Sequence, residues 1–123
     1  MKQVLFVFLG GGLGSAARYG LSKWLNNPEV SIPYGTLLAN VLGSLLIGVI
    51  LGYSLKSDLL SQQTTLLLAT GFCGGFTTLS TFAYENHTFL KNGDYLNFGM
   101  YTIGSFALAL IAVFIGFWIS KNI

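Results

Sequence analysis

Four stretches of about twenty residues contain almost no charged side chains, and they constrain the fold more than any other feature of the sequence. They cover residues 4–21, 32–53, 59–83 and 98–119. A helix that rises 1.5 Å per residue needs about 20 apolar residues to cross roughly 30 Å of hydrocarbon, so each stretch can span a membrane. We therefore predict an all-α membrane protein with four transmembrane helices in a single domain over residues 1–123.

The composition supports this prediction and argues against other classes of protein. Hydrophobic residues make up 53% of the chain and charged residues 8%, whereas an average soluble domain has about 25% charged residues. A small soluble domain could not hide so many apolar side chains from water. Cys73, His87 and the scattered acidic residues provide no nucleophile and base pair and no metal cluster, so we do not expect an enzyme. We expect no nucleic-acid partner.

The third stretch has a composition that does not favour a continuous helix. Three glycines interrupt it and four hydroxyl side chains follow: Gly71, Gly74, Gly75, Thr77, Thr78, Ser80 and Thr81. Because glycine frees the backbone from the helical path, we predict that the third helix is broken near its middle. Non-helical backbone at membrane depth must be buried in protein or line a wet cavity, and its freed carbonyls need a positive partner such as a sodium ion.

Two further features of the spans concern contacts between helices. Asn40 lies in the uncharged second stretch, where an amide is costly unless it finds partners. Its two N–H groups could meet an anion, or the side chain could make a purely structural hydrogen bond between helices. Glycine pairs four residues apart allow helix backbones to approach closely, and the chain has three such pairs: Gly10 and Gly14, Gly48 and Gly52, and Gly71 and Gly75.

The basic residues are balanced between the two sides of the predicted membrane domain. With four spans, three lie on each side: Lys2, Lys56 and Lys121 on one, and Arg18, Lys23 and Lys91 on the other. An excess of Lys and Arg fixes which side is cytoplasmic, so a chain with no excess should insert in both orientations. Two opposed copies could then form an antiparallel dual-topology homodimer. The alternative is that the even division arises by chance.

Three segments resemble the CrcB/Fluc family of fluoride channels. They are residues 11–19 (GGLGSAARY), 35–43 (GTLLANVLG) and 71–82 (GFCGGFTTLSTF). The chain length and the fourth helix are also similar to this family. The resemblance implies an antiparallel homodimer among the lipids of the inner (plasma) membrane, with two fluoride pores and one structural sodium ion. It implies passive export of fluoride, which lowers fluoride toxicity.

The resemblance also implies roles for residues in the second and third helices. The backbone carbonyls of Gly74 and Thr77 would hold the sodium ion, which is not transported. Asn40 would help to coordinate fluoride, and Ser80 and Thr81 would form a polar track along the fluoride path.

The resemblance implies further pathway residues in the first, second and fourth helices. Arg18 and Thr36 would serve the vestibule and the adjoining mouth of the pore. Tyr101 and Ser105 are plausible additions from the fourth helix.

One pair of positions departs from the family pattern. Two phenylalanines three residues apart commonly face the fluoride path in the family, and here these positions hold Leu79 and Phe82. Leucine has no polarised ring edge, so Leu79 can shape the pore but cannot repeat an aromatic contact with an anion. Glu85 follows the predicted third helix, and by itself it is typical of an interfacial charge or of a partner for a helix end.

Two non-enzymatic alternatives to a channel remain open. A small proton-coupled drug exporter would match the size and the charge balance, but it would need an acid within a span, and the first, second and fourth spans contain none. A scaffold protein could use the glycine pairs and Asn40 only to hold helices together. The scaffold interpretation does not explain the four hydroxyl side chains that follow the glycines of the third stretch.

Overall fold

The computed structural model describes residues 1–123 and contains only helices and short connections. Helix α1 covers Lys2–Leu25, α2 covers Tyr34–Lys56, and a long interrupted helix follows over Gln62–Lys91. The last helix, which we call α5, covers Tyr95–Lys121. All four are long and apolar enough to cross a membrane. The predicted all-helical protein with four candidate spans is confirmed.

The third span consists of two helices joined by three non-helical residues, 77–79. Its first part runs through an α-helical turn, Gln62–Thr65, a π-helix, Leu66–Cys73, and a short α-helix, Gly74–Phe76. We call these residues, 62–76, α3, and the second part, Ser80–Lys91, α4. Between them Thr77 is extended, with φ −89° and ψ 159°. The predicted break near the middle of this span is therefore present.

The glycines of this span do not cause the break, contrary to the sequence-based argument. Gly74 has ordinary helical angles, φ −62° and ψ −37°. Gly71 and Gly75 instead lie against α1, where a Cβ on Gly71 would lie 2.9 Å from the Cα of Gly10. The helix ends at Phe76, one residue after the last glycine. Threonine hydroxyls there offer the backbone other partners, and Thr78 Oγ1 accepts a hydrogen bond from Thr81 N.

The third span also extends further than we predicted. The expected end at residue 83 is wrong, because α4 continues to Lys91, and the last helix starts at Tyr95, before the expected residue 98. The true connection is a tight turn that contains Gly93, with φ 72°. Polar residues after residue 83 suggested a connection, but one face of α4 remains buried through Phe89.

Close backbone contacts at glycine hold the spans together. A Cβ on Gly14 would collide with the carbonyl oxygen of Phe72 in the π-helix, and one on Gly116 would collide with the carbonyl oxygen of Leu45 in α2. Helix α1 therefore packs on α3, and α2 packs on α5. Apolar side chains gain little from leaving lipid for another helix, so such close approach supplies the packing energy. The close packing expected from the glycine pairs is confirmed.

Candidate functional site

One face of the molecule has an open cavity of about 610 Å³ between α2, α3, α4 and α5. Six of the residues predicted to carry function line it: Asn40, Gly74, Thr77, Leu79, Phe82 and Ser105. The break in the third span places the extended backbone at Thr77 directly in this cavity. Polar backbone at membrane depth is thus exposed on a face that no other part of the protomer covers.

Asn40 is fixed by two hydrogen bonds to the backbone at the break. Its Oδ1 accepts from the Thr78 amide at 2.8 Å, and its Nδ2 donates to the Thr78 carbonyl at 3.1 Å. The structural hydrogen bond between helices that we considered for Asn40 therefore exists. A side-chain amide has two N–H donors, so one of them remains available in the cavity. The structural role and an anion-binding role do not exclude each other.

Some backbone carbonyls near the break accept hydrogen bonds and others do not. The carbonyl of Gly75 accepts from Arg18 Nε at 3.1 Å and from Ser15 Oγ at 3.4 Å. The carbonyls of Gly74 and Thr77 accept no hydrogen bond within the protomer. Free carbonyl oxygens on an open face are suitable ligands for a hard cation such as sodium. No group of three or more His, Cys, Asp or Glu residues could hold a metal ion elsewhere.

Hydroxyl groups surround the first turn of α4. The Thr78 hydroxyl caps this helix by accepting from Thr81 N at 3.2 Å, and Ser80 Oγ lies 3.5 Å from the same hydroxyl. Ser80 is exposed and Thr81 is partly exposed in the protomer. The first turn of a helix also carries unpaired N–H groups and partial positive charge. The arrangement favours an anion near Ser80 and Thr81.

The two positions that are usually aromatic in the family have different surroundings. Leu79 is 71% exposed. Phe82 is buried, and its ring lies 5.0 Å from that of Tyr101 and 5.7 Å, edge to face, from that of Phe106. Phe82 therefore forms a wall of the cavity that its neighbours hold in place. Ser105 lies on the same wall, and its buried Oγ has no hydrogen-bond partner in the protomer.

A second polar cluster is buried beside the cavity and was not predicted as a unit. Glu85 accepts hydrogen bonds from the Thr36 hydroxyl and the Tyr101 hydroxyl, each at 2.7 Å. Thr36 is completely buried, and Tyr101 is 2% exposed. Asn26 donates from Nδ2 to Thr36 Oγ1 at 3.3 Å. These groups link the end of α1 to α2, α4 and α5.

Sequence reasoning missed the place of Glu85 and Asn26 in this cluster. Glu85 is not a free interfacial charge, because it is half-buried and both carboxylate oxygens have partners. A signal was present, since Phe82, Glu85 and Phe89 recur at helical spacing and lie on one side of a helix. No comparable signal marks Asn26, which belongs to a connection.

Arg18 and Thr36 lie apart from each other, although we predicted that both serve the outer part of one pore. Arg18 is partly buried on α1, caps the C-terminal end of α3 and does not line the cavity. A cation at that position also offsets the negative end of the helix dipole. Thr36 has no exposed surface, and its hydroxyl is hydrogen-bonded to Glu85 and Asn26.

Comparison with known proteins identifies the family. The family model described as "CrcB-like protein, Camphor Resistance (CrcB)" matches residues 5–117. A protein of Gloeothece citriformis called fluoride-specific ion channel FluC is 48% identical over 99% of each chain. Proteins with the same name from Leptospira interrogans and Phocaeicola vulgatus are 46% and 43% identical, over 98% of this chain and 96% and 100% of their own lengths. With identity of this level along nearly its whole length, the chain belongs to the CrcB-like family.

Proposed function

We propose that this multi-pass membrane protein is a fluoride-specific ion channel, not an enzyme, and that it lowers fluoride toxicity by letting fluoride leave the cell passively. The observation that carries the proposal is the near full-length identity to fluoride-specific ion channels. The geometry supports it, because the helix break, the remaining N–H of Asn40 and the hydroxyls of Thr78 and Ser105 meet at one cavity. A location in the inner (plasma) membrane is part of the proposal.

Fluoride is a small, strongly hydrated anion, and it must exchange its water for close donors. The cavity offers the remaining N–H of Asn40 and the hydroxyl of Ser105, and the hydroxyls of Ser80 and Thr81 follow directly after its lining residues 77–79. The first turn of α4 adds partial positive charge. The ring edge of Phe82 can also meet an anion, since aromatic edges are positive. Leu79 supplies apolar surface that separates this path from lipid.

We also propose that a second copy of the chain covers the cavity in an antiparallel homodimer. Unpaired backbone groups facing lipid cost several kcal/mol each, so the face around Thr77 needs a protein partner. A twofold axis in the membrane plane would bring the two breaks together. The dimer would then contain two fluoride paths, each walled by residues of both copies.

The charge distribution in the helices supports opposed orientations of the two copies. Alternating spans put Lys2, Lys56 and Lys121 at one end and Lys23 and Lys91 at the other, with Arg18 nearer the second end. Lys56 Nζ contacts the Ser120 carbonyl at 3.0 Å, which confirms that the ends of α2 and α5 are neighbours.

Tags at either terminus are expected to report both orientations of the wild-type chain, because neither end has an excess of basic residues. A few lysines added to one terminus should lock the chain in one orientation and abolish transport, which should return when a chain locked the opposite way is co-expressed. Finding the wild-type chain in a single orientation would refute the antiparallel dimer.

A structural sodium ion fits the dimer that we propose. The free carbonyls of Gly74 and Thr77 from two breaks would supply four oxygen ligands at the shared face. Gly74 is exposed and has open space where a Cβ would be, so nothing in the protomer blocks this site. The ion would neutralise the facing carbonyl dipoles and hold the two copies together without being transported.

Fluoride efflux from proteoliposomes tests the channel itself. Once a potassium ionophore lets potassium leave with the anion, purified protein is expected to release trapped fluoride rapidly and to release chloride far more slowly. Retention of fluoride by liposomes that contain correctly assembled protein would contradict the proposal.

A further inference from the structure

Asn26, which immediately follows α1, is hydrogen-bonded to the first turn of α2. Its Oδ1 accepts from the Gly35 amide at 2.6 Å and from the Thr36 amide at 3.3 Å, and its Nδ2 lies 3.3 Å from Thr36 Oγ1. A Cβ on Gly35 would lie 2.7 Å from the Cα of Ser22 and 2.8 Å from Asn26 Oδ1. Only glycine lets the end of α1 come close enough for these contacts.

The backbone fixes the direction of the hydrogen bonds around Asn26 and Thr36. Backbone N–H groups can only donate, so the side-chain atom of Asn26 that faces Gly35 must be its oxygen. The Asn26 NH₂ group therefore faces Thr36, and it can only donate. The single proton of the Thr36 hydroxyl is consequently free to point to its other neighbour, Glu85 Oε2, at 2.7 Å. Tyr101 supplies the second proton, to Glu85 Oε1.

The position of Glu85 connects this cluster with the fluoride path. Glu85 follows Thr81 by four residues, so both lie on the same side of α4, one turn apart. A carboxylate that swings toward Ser80 and Thr81 would repel an anion strongly in a site of low dielectric constant. Donors from Thr36 and Tyr101 instead hold the carboxylate, and none of these three residues lines the cavity.

We propose that Asn26 is a positioning residue of the channel. Its amide group orients the Thr36 hydroxyl toward Glu85 and thereby holds this carboxylate away from the fluoride path. Asn26 itself is hydrogen-bonded to no residue that lines the cavity. The inference rests on the proposed fluoride channel.

Two substitutions separate this orienting role from the capping of α2. Asn26→Asp keeps an oxygen for the Gly35 and Thr36 amides but loses the NH₂ group, whereas Asn26→Ala loses both. Both variants should lower the initial rate of fluoride efflux about tenfold, the factor that corresponds to one lost hydrogen bond to a charged group. Only Asn26→Ala should also lower the melting temperature of the dimer, because only it leaves the helix uncapped. Because Asn26→Ala adds no charge, lower efflux in this variant could not result from repulsion by an added charge.

Thr36→Val completes a double-mutant cycle, because it removes the hydroxyl through which Asn26 is proposed to act. Each Asn26 variant should have no further effect on efflux in the Thr36→Val background. Unchanged efflux in the two single Asn26 variants would overturn the inference, and so would fully additive losses. If Thr36→Val abolished conduction while both Asn26 variants still conducted, that result would also overturn the inference. A wild-type protein that conducts no fluoride would instead refute the proposed function.

Discussion

Fluoride efflux through the Asn40→Asp variant is expected to fall to the level of protein-free liposomes, while the protein still assembles as the wild type does. One carboxylate oxygen can keep accepting from the Thr78 amide, which lies 2.8 Å from Oδ1 in the wild type. The other oxygen replaces Nδ2, so the hydrogen bond to the Thr78 carbonyl is lost, and the cavity loses its free N–H donor and gains a negative charge. In a site of low dielectric constant this charge repels a passing anion.

Asn122→Asp is a matched control for this substitution. It makes the same chemical change near the end of α5, where Asn122 contacts the carbonyl of Trp118 outside the cavity. Its efflux should equal that of the wild type. Gel filtration and efflux on the same preparations then decide the role of Asn40. Normal fluoride efflux through a stable Asn40→Asp protein would remove Asn40 from the ion pathway, and loss of assembly would favour the purely structural role.

Gly14→Ala is expected to prevent stable folding, the largest stability effect that we predict. The added methyl group would collide with the Phe72 carbonyl oxygen and lie 2.9 Å from the Phe76 amide nitrogen. Both contacts are backbone atoms of α3, which cannot rotate away as a side chain can. Overpacking typically costs about 1–3 kcal/mol, and a contact between two rigid backbones should reach or exceed the upper end. Each copy of a dimer would carry this cost.

Gly12→Ala provides the control in the same helix. A Cβ on Gly12 has nothing within 4 Å, so this variant should fold and conduct as the wild type does. Melting temperature and the yield of assembled protein in detergent measure both variants. A Gly14→Ala protein as stable as Gly12→Ala would show that α1 and α3 do not pack through this glycine.

The general architecture could be predicted from the sequence because the membrane imposes simple requirements. An uncharged window of helical length has few alternatives in hydrocarbon, so all four spans were found. Asn40 was also recognisable, since an amide at membrane depth must have partners, and Thr78 supplies them.

The π-helix over Leu66–Cys73 could not be predicted. It depends on how α1 packs against this segment, where the carbonyl oxygen of Leu67 lies directly against Gly10. The same dependence on tertiary contacts explains the error about the glycines of the third span. Glycine permits both a break and a close helix contact, and its position in sequence does not decide between them.

The true length of α4 has a consequence for function. Our sequence-based case against a proton-coupled exporter noted that the first, second and fourth spans contain no acid, and the structure places Glu85 within the third span. This acid is not an open proton carrier, because Thr36 and Tyr101 donate to its two oxygens. The channel and the exporter nevertheless make different predictions about charge movement, and these can be measured.

The most direct test of the central claim follows fluoride and chloride release from the same proteoliposomes, before and after a potassium ionophore is added. A passive fluoride-specific channel moves net charge, so release should be small at first and should become rapid for fluoride alone once potassium can leave with it. Rapid fluoride release without the ionophore would indicate exchange or proton coupling, and equal release of chloride would exclude a fluoride-specific channel.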